Sequence, residues 1–356
     1  MESPIKLAVI FGGMSSEYEV SQSSAAGVLR NTDTSKYDIY PIGITKEGKW
    51  LLYCENDWDK IADGSWIDSP SNIPAVISPD RDCHGLILSD GQRIRIDVVF
   101  PVMHGKYCED GAIQGLFELS GIPYVGCDVA SSANCMNKIY TKIFADREGI
   151  TQAKWTHMFS SDFLSDVEGN TQRIIEFLGL PIFVKPASTG SSVGISKVKT
   201  AKSLEDAVKE ATLYDKRIVF EENITGQEVE VAVLGSLRKQ IASSVGEIIP
   251  AQEFYTYSAK YHDAQSETLI PARLSPEVSD ELKRLALRVF NALGCSGLSR
   301  VDFFVRNDRE IIFNEINTLP GFTPISMYTK LFGYDGISYS KLIDRLIELA
   351  LSKENN

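Results

Sequence analysis

The chain has 356 residues, of which 43% are hydrophobic and 24% are charged, so at roughly 150 residues per domain it has room for two or three folded domains. Its 36 Lys and Arg against 48 Asp and Glu give a net charge of −12, which argues against a nucleic-acid partner. No apolar stretch approaches the roughly 18 residues of a membrane span, and six scattered cysteines lack a CxxC pair. We therefore expect a cytoplasmic protein with reduced thiols and no membrane partner.

The first third of the chain alternates apolar strands with helices, which predicts a parallel, Rossmann-like sheet covered on both faces. Ligands of such sheets bind at the carboxyl ends of the strands, which here carry residues 12–19 and 104–110. In chain order the predicted elements are a strand at 6–11, a helix at 15–29, strands at 37–44 and 94–103, a helix at 111–119 and a short strand at 124–126.

The rest of the chain reads as two α+β modules, so we predict an α/β and α+β fold with domains 1–126, 127–225 and 226–356. The predicted elements of the middle module are a helix at 133–147, strands at 182–184 and 218–221, and a helix at 203–213. Those of the last are strands at 228–234 and 242–247, a Tyr-rich loop at 253–266, a helix at 276–293, a hairpin at 299–316 and a helix at 339–351.

The hairpin carries the strongest chemical signal, because a turn symmetric about the bond between Asp308 and Arg309 places Asp302 opposite Glu315. The same register places Arg300 opposite Asn317 on the same face. Two opposed carboxylates repel unless a cation lies between them, and carboxylate and amide oxygens suit Mg²⁺. The alternative interpretation is a solvated hairpin face without a ligand.

A second signal is the small-residue run 185–194, in which Lys185 ends an apolar strand. Backbone N–H groups of Gly and Ser can wrap phosphate oxygens, and Lys185 can neutralise one of them. The run is neither a Walker loop nor a dinucleotide fingerprint. It contains a literal G-x-S-x-G around Ser192, so a hydrolase with Ser192 as nucleophile is one alternative and a flexible surface hairpin is another.

Four weaker signals have structural alternatives. The segment 221–224 and Glu228 could read an adenine and a ribose, or form a charged turn. Glu17 could bind an ammonium group or favour a helix start. His104 could bind a carboxylate or be structural, and the pair 260–261 could close over a site or lie in a surface loop.

Together these motifs resemble the ATP-grasp superfamily, and specifically the D-alanine–D-alanine ligases. The matching stretches occur in the family's order and cover nearly the whole chain: 12–21, 104–111, 185–194, 297–302 and 314–323. The resemblance implies a three-domain ATP-grasp architecture, ATP and two Mg²⁺ ions (with Mn²⁺ as a substitute) as cofactors, D-alanine as substrate, and a homodimer.

The resemblance also implies a role for each matched residue. ATP phosphates would be held by Lys138 and Lys185, the adenine by Glu221, Glu222, Asn223 and Ile224, and the ribose by Glu228. The Mg²⁺ ligands would be Asp302, Glu315 and Asn317. The first D-alanine would be bound by Glu17, hydrogen-bonded to Ser191 and Tyr261, with His104 nearby; the second would be held by Lys260 and Ser326, and Arg300 would stabilise the tetrahedral intermediate.

The acceptor follows from the same resemblance. Relatives that make D-alanyl-D-lactate carry His where this chain has Tyr261, and those that make D-alanyl-D-serine usually carry Arg where it has Met327. Tyr261 with Met327 therefore predicts D-alanine as acceptor, with D-serine as the alternative. A catalytically silent nucleotide-binding protein of the same fold is a further alternative, which the retained cations and carboxylates disfavour.

Overall fold

The computed structural model describes residues 3–249, 267–323 and 325–352. Its strands form three sheets, one in each third of the chain, and helices cover them. None of the helices in these ranges is long and apolar enough to cross a membrane. The mixed α/β and α+β class predicted from the sequence is confirmed.

The first sheet has seven strands in the order β6-β5-β4-β3-β2-β1-β7. The predicted parallel arrangement is confirmed for β1, which pairs in parallel with β2 and β7, whereas β3 to β6 add an antiparallel extension that the pattern did not reveal. The elements are β1 (Ile5–Gly12), α1 (Tyr18–Asn31), β2 (Tyr37–Ile44), β3 (Trp50–Leu52), α2 (Trp58–Asp63), β4 (Ile73–Ile77), β5 (Gly85–Leu88), β6 (Arg93–Arg95), β7 (Val98–Val102) and α3 (Ala112–Ser120).

The single strand predicted at 94–103 is wrong in extent, because it comprises the end of β6 and the whole of β7. Asp97 lies between them and exchanges two hydrogen bonds with Lys6: its backbone N donates to the Lys6 carbonyl (2.9 Å), and its carboxylate accepts from the Lys6 backbone N (2.8 Å). This anchor starts β7 beside β1, so that both strands end at the same edge of the sheet.

The second sheet is antiparallel, in the order β10-β9-β11-β8. The single helix predicted at 133–147 is wrong: Asn137 adopts an extended conformation and separates two helices. Its side-chain oxygen accepts from the backbone N of Ile139 (3.1 Å) and Tyr140 (3.2 Å), as an N-cap does. The elements are α4 (Val129–Met136), α5 (Lys138–Arg147), β8 (Trp155–Phe159), α6 (Ser160–Ser165), α7 (Val167–Leu178), β9 (Ile182–Pro186), β10 (Ser196–Val198), α8 (Leu204–Thr212) and β11 (Arg217–Glu222).

The third sheet is also antiparallel, in the order β14-β13-β12-β15-β16. The predicted hairpin and the bounds of the final helix are confirmed. The elements are β12 (Gln227–Ser236), β13 (Lys239–Ile249), β14 (Glu267–Leu269), α9 (Pro276–Ala292), β15 (Gly297–Arg306), β16 (Glu310–Asn317), α10 (Met327–Tyr334) and α11 (Tyr339–Leu351).

The first and last parts of the chain share one apolar core. Buried Leu342 and Leu346 of α11 belong to the same cluster as Val9 of β1 and Val99 of β7, and Tyr328 of α10 joins them. Burial of such side chains is the main driving force for this packing. The carboxyl ends of β1 and β7 are thereby held beside the residues that follow β16.

Candidate active site

One cleft collects the polar side chains of all three parts of the chain, with about 1300 Å³ of space between atoms including its mouth. Ten residues named in the sequence analysis line it: Glu17, Lys138, Lys185, Ser191, Glu221, Arg300, Glu315, Asn317, Ser326 and Met327.

The N-terminal wall of the cleft presents Glu17, which lies just before α1 and is only 6% exposed. The hydroxyl of Ser191 donates a hydrogen bond to its carboxylate. Gly105 adopts a positive φ of 72°, and a Cβ there would lie 2.6 Å from Glu17 Oε2. A side chain at residue 105 would therefore force the Glu17 carboxylate to shift from this position.

His104 lies beside this wall, with both ring nitrogens in contact with protein atoms. Its Nε2 is 3.0 Å from the Ser24 hydroxyl and its Nδ1 is 3.1 Å from the Leu319 carbonyl, while Glu109 approaches Nδ1 at 3.9 Å. Burial disfavours the charged ring, but Glu109, Glu17 and the Leu319 carbonyl together raise the pKa of His104. These contacts join the first sheet to the segment after β16, and the role of His104 in binding a carboxylate remains a prediction.

The small-residue run forms a turn between β9 and β10, against the start of α5. Lys138 begins α5, and its Nζ donates to the Thr189 carbonyl at 2.5 Å. The Asn137 amide donates to the Ser188 hydroxyl at 2.9 Å, which also ties the helix to the turn. Ser191 adopts a positive φ of 50° within this turn. Lys138 and Ser191 both line the cleft, so the turn and the start of α5 form one of its walls.

This geometry does not support the hydrolase alternative. A nucleophile elbow lies between a strand and a helix, whereas Ser192 lies in a turn between two paired antiparallel strands. The G-x-S-x-G match is therefore coincidental in this fold.

The central wall holds a charge group that sequence reasoning found only in part. Lys142 on α5 lies 3.1 Å from Glu221 Oε2, and Lys185 on β9 donates to the same oxygen at 3.2 Å. Burial alone would raise the pKa of Glu221, but the charges of the two lysines lower it to about 2. Burial in turn lowers the pKa of Lys142. The cleft therefore contains a buried carboxylate that is shared by two lysine ammonium groups. Sequence analysis did not identify Lys142, because nothing in the sequence pattern distinguished it from the other helix lysines.

Of the other residues predicted to bind the adenine and ribose, at 222–224 and 228, Glu222 and Asn223 form hydrogen bonds with residues other than the two lysines. The Glu222 carboxylate accepts from the Lys154 backbone N at 2.7 Å, and the Asn223 amide donates to the Thr225 hydroxyl at 3.4 Å. Ile224 and Glu228 are half-buried. These four residues are outside the set that lines the cleft in the described ranges.

The hairpin places its carboxylates as expected, although one assumption about the turn is wrong. Asp302 pairs with Glu315, and Arg300 pairs with Asn317. Nearer the turn, however, Phe303 pairs with Phe313, so the turn is not symmetric about the expected bond. A register shift that leaves Asn314 unpaired restores the expected pairing, as a β-bulge does.

Arg300 joins the hairpin to the neighbouring strand β12. Its guanidinium donates two hydrogen bonds to Asp302, Nε to Oδ1 at 2.8 Å and Nη2 to Oδ2 at 2.7 Å, and its Nε lies 3.0 Å from Glu230 Oε2. Burial opposes the charge, yet Asp302 and Glu230 raise the pKa of Arg300 well above its usual value. Glu230, which lines the cleft, was missed because its alternating strand pattern gave no sign of its partner.

The donor set suits a divalent cation that also binds a polyphosphate. No group of three or more His, Cys, Asp or Glu in the described ranges forms a metal cage on its own. Mg²⁺ takes few protein ligands and completes its shell with phosphate oxygens and water. The two opposed carboxylates and the amide oxygen of Asn317 match this preference. The Asn317 oxygen also accepts a hydrogen bond from the Leu319 backbone N at 3.0 Å. The side chains thus fit the ion that the hairpin predicts.

The far wall is formed by the start of α10. The Ser326 hydroxyl accepts from the Thr323 backbone N at 3.0 Å, and buried Met327 lies against Gly246, where a Cβ would be 2.8 Å from its sulfur. Both line the cleft. Lys260 and Tyr261 lie outside the described residues.

Comparison with known families agrees with this arrangement. The family model described as the D-ala D-ala ligase N-terminus matches residues 6–127, and the one described as the D-ala D-ala ligase C-terminus matches residues 144–348. The two matches together span most of the chain and contain every described residue of the cleft named above except Lys138 and Lys142.

Individual relatives are similar along their whole length. The D-alanine–D-alanine ligase of Caldicellulosiruptor bescii is 50% identical, with 98% of this chain and 96% of the relative covered, and that of Clostridium acetobutylicum is 48% identical, with 98% and 99% covered. Among solved structures, the VanG D-Ala:D-Ser ligase from Enterococcus faecalis has a TM-score of 0.89 at 41% identity, covering 98% of this chain and 100% of that one. The D-alanine-D-alanine ligase from Coxiella burnetii has a TM-score of 0.88 at 36% identity, covering 99% and 95%.

Proposed function

This chain belongs to the D-alanine–D-alanine ligase family, and from that premise we propose that it joins two D-alanine molecules at the expense of ATP. The products are D-alanyl-D-alanine, which serves peptidoglycan synthesis, ADP and phosphate. The observation that carries the proposal is that Glu17, Lys185, Arg300 and Glu315 line one cleft, with Asp302 directly opposite Glu315 on the hairpin. These groups suit an amino acid, a nucleotide and a developing negative charge.

The chemistry explains why the cleft needs both cations and anions. A carboxylate is a poor electrophile, so the first D-alanine takes the γ-phosphoryl group of ATP and becomes an acyl phosphate. The amine of the second D-alanine attacks its carbonyl carbon, the C–N bond forms, a proton leaves the amine and phosphate departs. Negative charge builds first on the phosphoryl group and then on the tetrahedral oxygen, where preplaced cations stabilise it.

We assign the following side chains to the steps of this reaction. The buried Glu17 carboxylate binds the ammonium of the first D-alanine, and Ser191 fixes its direction. Lys138 and Lys185 bind ATP phosphates, Glu221 to Ile224 surround the adenine and Glu228 binds the ribose. Arg300 stabilises the tetrahedral intermediate, and Ser326 with Lys260 holds the carboxylate of the second D-alanine.

Asp302, Glu315 and Asn317 would hold the divalent ions, two Mg²⁺ or Mn²⁺ in their place. Bound there, the ions neutralise phosphate charge and polarise the transferred group. The oxygen-only donor set supports this assignment.

The acceptor is the finer part of the proposal. Met327 presents an apolar side chain next to Ser326 in the cleft, which suits a methyl side chain. The likeness to a D-Ala:D-Ser ligase structure keeps D-serine as the alternative acceptor. A catalytically silent protein is disfavoured because the cations and carboxylates of the cleft are all retained.

The organisation of the chain is also proposed. We assign domains to residues 1–126, 127–225 and 226–356, because each range holds one sheet. A homodimer in the cytoplasm is the assembly that the family resemblance favours.

The deciding experiment is a product assay. Purified protein with ATP and Mg²⁺ is expected to release ADP only when D-alanine is added, and D-alanyl-D-alanine is expected to dominate when D-alanine competes with D-serine or D-lactate. ADP release independent of D-alanine would refute the ligase, and a dominant mixed product would overturn the choice of acceptor.

Gly105→Ala is expected to raise the KM for D-alanine about tenfold or more and to change the KM for ATP little. The new Cβ would collide with Glu17 Oε2 and strain a backbone of positive φ. Steady-state kinetics with each substrate varied in turn measure the two values. Gly115→Ala is the matched control, because a Cβ there meets nothing within 4 Å; equal KM values for both variants would contradict the expected fit of Glu17.

A further inference from the structure

Three carboxylates lie in a row across neighbouring strands of the third sheet. Glu230 on β12 pairs with Asp302 on β15, which pairs on its other side with Glu315 on β16. Directly opposed residues share a face of the sheet, so all three side chains point to the cleft side. Glu230 is 6% exposed and Asp302 is 8% exposed. The row therefore extends one strand further than the hairpin itself.

Arg300 is shared between two members of this row. Its Nε lies 2.8 Å from Asp302 Oδ1 and 3.0 Å from Glu230 Oε2. The Nε atom carries a single hydrogen, so the two carboxylates compete for one donor. Asp302 holds Arg300 more firmly here because it also accepts from Nη2 at 2.7 Å.

This sharing conflicts with the metal role proposed for Asp302. A cation that binds the Asp302 oxygens competes with Arg300 for the negative charge of the same carboxylate, and it repels the guanidinium. Arg300 then needs another anion, because a buried guanidinium without a partner is strongly disfavoured. Glu230 already touches Nε and needs only a small shift to accept from the guanidinium in full.

We propose that Glu230 is a positioning residue that takes over Arg300 when a divalent cation binds Asp302. The exchange frees the Asp302 carboxylate for the metal and keeps Arg300 at the edge of the cleft, where the tetrahedral intermediate forms. The inference rests on the proposed function for the role of Asp302. It assigns a task to Glu230, which the hairpin pattern did not include.

The test measures metal binding rather than activity. Free Mn²⁺ is counted by electron paramagnetic resonance during titration of the protein with a non-hydrolysable ATP analogue present. Glu230→Gln is expected to weaken Mn²⁺ binding about tenfold, because Arg300 then stays on Asp302. Glu310→Gln, at the exposed start of β16, is the matched control and is expected to leave the Kd unchanged.

A double-mutant cycle separates the exchange from simple loss of negative charge. In an Arg300→Met background Asp302 has no competing guanidinium, so adding Glu230→Gln is expected to change the Mn²⁺ Kd less than about threefold. An equal weakening in both backgrounds would show plain electrostatics and overturn the proposal. Glu230→Asp keeps a carboxylate and is expected to lose less affinity than Glu230→Gln; equal losses would also contradict it.

The outcome is distinguishable from failure of the proposed function. Absence of ADP release with D-alanine from the unaltered protein would refute the ligase reaction, whereas the Mn²⁺ cycle reports on Glu230, Asp302 and Arg300 alone. Thermal melting of each variant without metal confirms that it is folded before titration.

Discussion

Glu315→Ala is expected to lower kcat on the order of a thousandfold or more, a loss of about 4 kcal/mol of transition-state stabilisation. Glu315 lines the cleft and stands opposite Asp302, so its removal takes away one of the two carboxylates proposed for the metal. D-alanine-dependent ADP release at saturating ATP and Mg²⁺ measures the loss.

The same variant should be as stable as the unaltered protein, or more stable, when metal is absent. Like charges directly opposed on a hairpin repel, and the substitution removes one of them. The rise in melting temperature on adding Mg²⁺ and ATP should disappear. Glu310→Ala is the matched control, because Glu310 lies on the same strand at its exposed end. Near-normal turnover by Glu315→Ala would remove it from the metal site.

Glu221→Gln is expected to destabilise the fold by about 3 kcal/mol at neutral pH, because it leaves two cations without their shared anion. Lys142 and Lys185 lie 3.1 and 3.2 Å from one Glu221 oxygen, and Lys142 is buried. Denaturant unfolding followed by tryptophan fluorescence measures the change.

The pH dependence of this variant has a defined sign. The pKa of Glu221 is about 2 in the fold against an ordinary value of 4.5. A lowered carboxyl pKa contributes stability above pH 4.5, and that contribution is lost as the pH falls toward 2. The unaltered protein should therefore lose more stability over this range than Glu221→Gln does.

Glu222→Gln is the neighbouring control. Its carboxylate is half-buried and accepts from a backbone N–H of Lys154 rather than from a lysine ammonium. We expect it to lose clearly less stability and to keep the acid sensitivity of the unaltered protein. If both variants lost the same stability at every pH, the shared ion pair would not be important for the fold.

The local sequence pattern was sufficient to predict those helices and strands whose formation depends on a single segment of the chain. The apolar strand that becomes β1, the alternation of the hairpin and the periodicity of α11 each depend on burial of one face, which a single segment encodes. The pairing of Asp302 with Glu315 was also predicted, although it depends on a bulge at Asn314 that the symmetric turn did not contain. The break at Asn137 was missed because both halves of the segment have helical periodicity, and only the cap differs.

What the sequence determined by itself was the alternation of strands and helices, the family resemblance and the residues whose spacing is local. Only the tertiary structure decided which charges become partners. Lys142 and Glu221 are 79 positions apart, and Glu230 and Arg300 are 70 apart, so no local period connects them. Such pairs form because burial penalises each charge alone, and the penalty is relieved only by an opposite charge that the folded chain brings beside it.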